Sequence, residues 1–152
     1  MVQIFIALAF ALTAQAAEKF APDPENVMTK KDVVTFSVPW IKDKGAKWDF
    51  QLNVHNENPE KGMIVFLSDI SCKRGKVVGV VKHTFFNTGE RTMDFKPNER
   101  KEFKLVCRTE GAERGDFVLS VRKVYDNPSM DGKTVGKSVA ENLTWNQNDK
   151  RE

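Results

Sequence analysis

Short segments in which apolar and polar residues alternate recur throughout residues 32–146, and turns rich in Gly, Pro and Asn separate them. A period of two places the apolar side chains on one face of a β-strand, whereas an amphipathic helix needs apolar residues at positions i, i+3, i+4 and i+7. No helical pattern of that kind persists in the chain. Turn signals at intervals of about 8–12 residues therefore predict one all-β domain, a sandwich of antiparallel sheets with about seven to eight strands.

Two of these segments flank a polar turn at residues 56–62. In the first, Phe50, Leu52 and Val54 alternate with polar residues, which predicts an antiparallel strand with one buried face. In the second, residues 63–72 form one predicted strand, and apolar residues occupy both of its faces in the first half. We therefore expect this second strand to lie in the interior of a sheet.

Three further expectations depend on single residues. Pro39 cannot donate a backbone hydrogen bond, so the strand in which Val34, Phe36, Val38 and Trp40 share one face should lie at a sheet edge or end there. Gly79 suggests a β-bulge within residues 77–86, whose pattern favours neither face. Near the C-terminus, the alternation predicts that Tyr125 continues the inward-facing side of its strand.

Residues 1–17 contain no charged side chain and are predicted to be a secretory signal peptide. An apolar block at residues 2–12 is followed by Ala14 and Ala16, the small-x-small arrangement that signal peptidase accepts. The block is shorter than the ~20 apolar residues that span a bilayer, so we expect no transmembrane segment in the mature protein. No cysteine follows the block, so no lipid anchor is expected there. The predicted order is a signal peptide (1–17), an extended leader (18–31), the domain (32–146) and a flexible tail (147–152).

Cys72 and Cys107 are the only two cysteines of the chain, and each lies on the apolar face near the end of a predicted strand. Because thiols are oxidised outside the cytosol, two inward cysteines in an exported protein predict one disulfide. In the chain-entropy model, closing a loop of about 35 residues stabilises the fold by about 3–4 kcal/mol. No C-x-x-C spacing is present, so the predicted role is structural and not redox.

The net charge of +3 results from 24 basic and 21 acidic residues scattered among each other, which does not indicate nucleic-acid binding. Some basic residues fall on the polar faces of successive strands or share one turn. The candidate patch consists of Lys73, Arg74, Lys76, Lys104, Arg108 and Arg122. If these strands are neighbours, the patch would attract an anionic cell-envelope polymer or an acidic protein. The alternative is an ordinary solvated sheet face with interspersed Glu.

Catalytic signals are sparse. Neither His55 nor His83 has a second ligand at metal-binding spacing, and Ser68 and Ser71 lie in no G-x-S-x-G elbow. The nine glycines lie singly, so no phosphate-cradling loop is predicted, and we expect no cofactor and no metal. Asn142 begins an N-x-Thr sequon that would carry a glycan only in a eukaryotic source. An enzyme is therefore unsupported.

The segment D-F-Q-L-N-V-H-N-E-N, the apolar strand after it, and F-K-P-N-E-R-K-E-F-K-L-V-C resemble the small secreted immunoglobulin-like domains of telokin-like type in exported bacterial proteins. Pro97, Asn98 and Glu99 match the P-x-E turn that leads into a core strand in those domains. The resemblance covers residues 32–145. It implies an immunoglobulin-like β-sandwich and export, and it carries over no catalytic residues, because that family has no common active site.

These observations predict an exported, non-catalytic binding or structural module in the periplasm or outside the cell. We expect it to contact a protein or cell-envelope partner through loops or an edge strand, for which the Pro39-limited strand is a candidate. Two alternatives are a small secreted hydrolase or ligand-binding protein with a cryptic site, and a secreted effector or inhibitor. A pocket with converging polar groups would favour the former, and a protruding apolar patch would favour the others. The sequence does not indicate an oligomeric state.

Overall fold

The computed structural model describes residues 27–83, 91–112, 114–129 and 134–147. The predicted signal peptide lies outside these ranges. The described residues form eleven strands and one single-turn 3₁₀ helix at Leu67–Asp69, and every strand pair is antiparallel. The prediction of an antiparallel all-β domain is therefore confirmed. No helix among these residues is long and apolar enough to cross a membrane.

The strand number exceeds the seven to eight that we expected. The strands are β1 (Val27–Lys30), β2 (Val34–Ser37), β3 (Ile41–Asp43), β4 (Lys47–Asn56), β5 (Gly62–Phe66), β6 (Ile70–Arg74), β7 (Val77–His83), β8 (Thr92–Phe95), β9 (Arg100–Arg108), β10 (Phe117–Asn127) and β11 (Ser138–Gln147). Their order is β1-β2-β4-β9-β7-β6-β10-β5-β8, with β3 on β4 and β11 on β10. Part of the excess arises because the 3₁₀ helix divides the predicted strand at residues 63–72 into β5 and β6. As expected, β5 is interior, since it pairs with both β8 and β10.

Strand β7 joins the two halves of the sheet. Its first residues, up to Gly79, pair with β6, and the residues from Val80 onward pair with β9. In a flat sheet, strands on either side of a third strand lie about 9.5 Å apart. The Cα atoms of Cys72 on β6 and Cys107 on β9 are only 6.3 Å apart and carry the predicted disulfide. The sheet therefore folds over at β7, and its two halves enclose one core.

Aromatic side chains from both halves meet in that core. Phe117 of β10 stacks on Trp48 of β4, with ring centroids 4.5 Å apart. It also contacts Phe50 of β4 edge-on at 5.8 Å and Trp145 of β11 at the same distance. Such aromatic contacts contribute about 0.5–1.5 kcal/mol each beyond the burial of area. The alternation predicted for β4 holds, since Phe50, Leu52 and Val54 are buried.

Gly79 does not mark a bulge, which corrects the expectation from sequence. The pairing of β7 with β6 and β9 shows no register shift at this residue. An added Cβ at Gly79 would instead lie 2.6 Å from the Sγ atom of Cys107 and 2.8 Å from that of Cys72. The glycine therefore permits the disulfide to pass directly over β7, where any side chain would collide with it.

The first predicted strand ends just before Pro39, which is one of its two expected outcomes, and it does not lie at an edge. Strand β2 ends at Ser37, two residues before Pro39, and it pairs with β4 on one side and β1 on the other. Strand β1 lies within residues 18–31, the segment expected to be a leader, because Met28 is a core residue with 3% exposure. The edge of β2 is therefore already occupied and does not offer a docking site.

The inward face of β10 shifts by one residue along the strand. Phe117, Leu119 and Val121 are fully buried as predicted, but Val124 and not Tyr125 is the next buried side chain. The pairing with β11 has a register shift between Val124 and Tyr125. On the opposite edge of β10, the partner changes from β6 to β5 across the 3₁₀ helix. A bulge at this point rotates Tyr125 away from the core, and the Tyr125 ring contacts the Phe66 ring instead.

Candidate functional site

The structure divides the predicted basic patch among several surfaces. Lys104 and Arg108 lie on the outer face of β9, on the half of the sheet that contains β4. Lys73 and Arg122 lie on the outer face of the other half, on β6 and β10. Lys76 occupies the turn between β6 and β7. These residues do not form one continuous patch.

Arg74 is not a surface residue at all. It is fully buried, because β6 alternates and Arg74 follows Cys72 on the inward face. Its guanidinium nitrogens donate to both carboxylate oxygens of Asp43 at 3.3 and 3.2 Å and to the carbonyl oxygen of Gly45 at 3.2 Å. The guanidinium carbon lies 4.7 Å from the ring centroid of Trp48. Arg74 therefore ties β6 to the β3–β4 turn and has a structural role.

Arg122 has a similar but exposed role. Its Nη2 atom lies 2.7 Å from Oδ1 of Asp69, and its Nε atom donates to the same oxygen at 2.9 Å. Asp69, in the 3₁₀ helix, has only 4% of its side chain exposed, whereas Arg122 is 70% exposed. The arginine thus compensates a buried carboxylate, and its charge is not available in full to an anionic partner.

A different set of cations gathers on the outer face of β3, β4, β9 and β7. In antiparallel pairs, directly opposed residues project to the same face. Lys47 of β4 is directly opposite Arg108 of β9. Val106 of β9 lies between Asp49 of β4 on one side and Lys82 of β7 on the other. We call this surface the basic face. It comprises Lys42, Lys44, Lys47, Lys82, Lys104 and Arg108.

A cavity of about 430 Å³ lies on the basic face. Four cationic side chains line it: Lys44, Lys47, Lys82 and Arg108. His83 and the carboxylate of Asp49 also line it. Asp49 is already neutralised by Lys44, whose Nζ atom is 2.5 Å from Oδ2. Neither Lys47 nor Lys82 forms an ion pair with any described residue. The cavity therefore presents an excess of positive charge to solvent.

A second cavity, of about 380 Å³, lies farther along the same outer face of β4 and β9. We call it the polar groove. Its lining includes Ser37, Asn53, His55, Glu57, Arg100 and Glu102. Asn53 of β4 opposes Ser37 of β2 and Glu102 of β9, so hydroxyl, amide and carboxylate groups stand side by side. The groove offers hydrogen-bond donors and acceptors with charges of both signs.

Hydrogen bonds order the wall of the polar groove. The Nε2 atom of His55 lies 2.9 Å from Oδ1 of Asn98, and Glu57 accepts a hydrogen bond from the hydroxyl of Thr35 at 2.9 Å. Asn98 belongs to the predicted turn at residues 97–99, which precedes β9, and its φ of 59° is left-handed. Asparagine tolerates this conformation better than most residues, which explains its place in the turn.

Trp40 connects the basic face to the polar groove. Its Nε1 atom donates to Oε1 of Gln51 at 3.0 Å, and Nε2 of Gln51 donates to Oδ1 of Asn53 at 2.7 Å. Gln51 lies on the outer face of β4, between Asp49 and Asn53, and is only 4% exposed. Trp40 is half-buried. The alternation predicted that Trp40 continues the inward face of the first strand, but β2 ends at Ser37 and the indole contacts Gln51 on the outer face instead.

The polar groove is a pocket with converging polar groups, as the ligand-binding alternative requires, but the described residues contain neither a metal-binding cluster nor a serine that is hydrogen-bonded to a histidine. No group of three or more His, Cys, Asp or Glu side chains is placed to hold a metal ion there. Ser68 and Ser71 are exposed, and neither forms a hydrogen bond with a histidine in the described part of the chain. Asn142 is exposed on β11, with a left-handed φ of 55°.

Comparison with known proteins gives one informative similarity. No family model and no curated protein matches this chain. The fold is similar to that of a candidate lipoprotein, ycdA, from Bacillus subtilis, with a TM-score of 0.57 over 86% of this chain. The two sequences are 10% identical, so the similarity is one of fold alone. This chain covers 40% of the length of that protein.

Proposed function

We propose that this protein is an exported, non-catalytic binding module of immunoglobulin-like β-sandwich type, and that its basic face binds an anionic polymer of the cell envelope. The signal-peptide pattern of residues 1–17 and the Cys72–Cys107 disulfide support export. The fold similarity to a candidate lipoprotein is compatible with a location at the cell envelope. The two-layered sheet and the turn at residues 97–99 support the immunoglobulin-like assignment.

The observation that carries the proposal is the charge of the cavity on the basic face. Lys44, Lys47, Lys82 and Arg108 line it against the single carboxylate of Asp49, which Lys44 already neutralises. The ion pair of Arg108 with Glu110 is 3.8 Å long and exposed, so it competes only weakly with an incoming anion. Positive charge concentrated in a concavity raises the local concentration of anions.

The spacing of the cations favours a polymer over a small anion. Residues two apart on a strand are separated by about 6.8 Å, so the Lys47–Arg108 pair and Lys104 are about 13.5 Å apart along β9. A single phosphate or carboxylate spans only one of these positions. A chain with repeated negative charges reaches several of them and releases several counterions at once.

The proposal is tested by binding to an anionic polymer as a function of salt. We expect log K to fall linearly with log salt concentration, and the slope to become shallower by about one unit for each cation removed. The variant Lys47→Gln/Lys82→Gln removes two unpaired cations from the basic face. The control Lys61→Gln/Lys137→Gln removes the same charge from the opposite end of the domain, near Asp126.

The double substitution on the basic face should weaken binding and reduce the salt slope, whereas the control should leave both close to those of the unmodified protein. Equal losses in the two variants would show that net charge alone attracts the polymer. Absence of binding at low ionic strength would refute the proposed function outright. Circular dichroism of each variant establishes that the fold is retained.

A further inference from the structure

Trp40 is the aromatic residue that lies at the boundary between the basic face and the polar groove. It is half-buried, whereas Trp48 and Trp145 have only 4% of their surface exposed. Its indole nitrogen is held by Gln51, which follows Asp49 and precedes Asn53 on the outer face of β4. A partly exposed tryptophan is thus held by Gln51, between Asp49 of the basic face and Asn53 of the polar groove.

The hydrogen bonds around Gln51 fix the orientation of two amides. An indole N–H can only donate, so the oxygen of Gln51 faces Trp40 and its nitrogen faces Asn53. That nitrogen donates to the oxygen of Asn53, so the amide nitrogen of Asn53 remains as a donor on the wall of the polar groove. Among the described residues it has no other partner. Ser37 and Glu102 flank it as hydroxyl and carboxylate.

From this arrangement, and resting on the proposed function, we propose that the anionic polymer is an acidic polysaccharide, whose sugar rings pack on Trp40 while its acidic groups pair with the basic face. The apolar C–H face of a sugar ring packs on an aromatic surface, and the hydroxyl groups around its edge need donors and acceptors. Asn53, Ser37 and Glu102 supply both kinds of group in the polar groove, and Gln51 connects Asn53 to the indole.

The polar groove argues against an acidic protein or an inorganic polyanion. Glu57 and Glu102 lie within it, and carboxylates favour a ligand that presents hydroxyl donors between its acidic groups over one that presents acidic groups alone. The same carboxylates accept hydrogen bonds from sugar hydroxyls. Along β9, the distance from Arg108 to Arg100 is about 27 Å, so one face has room for several sugar units in series.

The test compares two polyanions matched in number of charges: polygalacturonate, which has sugar rings, and poly-L-glutamate, which has none. We expect the protein to bind polygalacturonate about tenfold more tightly in isothermal titration. Trp40→Ala should abolish this preference while changing the affinity for poly-L-glutamate by less than about twofold. Asn53→Ala should reduce the preference in the same direction, and it provides an independent result if Trp40→Ala does not fold. Val135→Ala, a truncation of a residue that is 45% exposed, is the control and should change neither affinity.

Intrinsic fluorescence gives a second measurement. Because Trp48 and Trp145 are buried, a change in tryptophan emission on binding reports Trp40, and Trp40→Phe should remove it. Equal affinity for both polyanions, with no effect of Trp40→Ala or Asn53→Ala, would overturn the polysaccharide proposal and leave the proposed function standing, with charge alone selecting the anionic polymer. Failure to bind either polyanion at low salt would overturn both.

Discussion

Replacing Gly79 with alanine tests whether the fold depends on a disulfide that passes directly over β7. The added Cβ would lie 2.6 Å from Cys107 Sγ, 2.8 Å from Cys72 Sγ and 2.8 Å from the carbonyl oxygen of Arg108. Non-bonded contacts are favourable at about 3.5–4.0 Å, so each of these distances is about 1 Å too short. The sulfurs are bonded to each other and the carbonyl belongs to the paired strand β9, so none of the three can move without disturbing the sheet.

Overpacking a core by one methyl group costs about 1–3 kcal/mol and occasionally more. With three simultaneous collisions, we expect Gly79→Ala to lower the free energy of unfolding by about 3 kcal/mol. In a domain of this size, such a loss lowers Tm by about 10–15 °C. Thermal unfolding followed by circular dichroism, with urea unfolding as a second measurement, determines both quantities.

A double-mutant cycle isolates the sulfur contacts. The variant Cys72→Ala/Cys107→Ala costs about 3–4 kcal/mol by itself, because it opens a loop with a sequence separation of 35. In that background, Gly79→Ala should cost at least about 1 kcal/mol less than in the oxidised protein, because the two sulfur atoms are gone. Gly111 has a φ of +88° and no atom within 4 Å of an added Cβ, so Gly111→Ala should cost about 1–2 kcal/mol equally in both backgrounds. Equal penalties for Gly79→Ala in the two backgrounds, or an unchanged Tm, would refute the reasoning.

Two further predictions concern the ion pairs that the structure assigns to stability. Arg74→Ala should destabilise by about 3 kcal/mol in urea unfolding, because it leaves Asp43 without its bidentate partner and Trp48 without its stacking group. Arg122→Gln should cost about 1 kcal/mol, since Arg122 is 70% exposed and the amide of the introduced glutamine can still donate a hydrogen bond to Asp69. A larger loss for Arg122→Gln than for Arg74→Ala would contradict the assignment of Arg74 as the buried structural cation.

The alternation of residues predicted the local structure well wherever one face of a strand is apolar and the other polar. In β4 and β9 the inward residues Phe50, Leu52 and Leu105 are buried as the period of two requires. The same rule placed Cys72 and Cys107 in the core and made their disulfide predictable. A burial preference repeated over several residues is a strong signal because each residue contributes to it independently.

Arg74 was wrongly predicted to be exposed because arginine is usually found at the surface, although the alternation of its strand indicates burial. It is two residues after Cys72, so alternation alone places it on the inward face of β6. The run K-R-G-K looked like an exposed turn because arginine is rarely fully buried. Burial is possible here because Asp43, Gly45 and Trp48 supply partners from a distant part of the chain. The identity of those partners is not a local property of the sequence.

The basic face could not be predicted because it depends on strand order. Lys47 and Lys82 are 35 positions apart, and they share a cavity only because β9 lies between β4 and β7. The alternation in β9 correctly places Lys104 and Arg108 on its outer face. The predicted patch also included Lys73 and Arg122, but these lie on the other half of the sheet. Lys82 lies in residues 77–86, where the sequence pattern does not predict which side chains face the core.

The bend of the sheet at β7 closes the core and also brings together the residues of the candidate site. Cys107 and Val81 are a directly opposed pair facing inward, and the next opposed pair, Arg108 and Val80, faces outward. A shift of one residue in the pairing of β7 with β9 would place Lys82 and Cys107 on the same face, so that either Cys107 would be exposed or Lys82 would turn toward the core. The disulfide fixes Cys107 close to Cys72, and Gly79 permits that approach, so the bond that stabilises the domain also fixes the register that places Lys82 and Arg108 on one face. The stability of the domain and its proposed binding surface therefore depend on alternate residues of the same two strands.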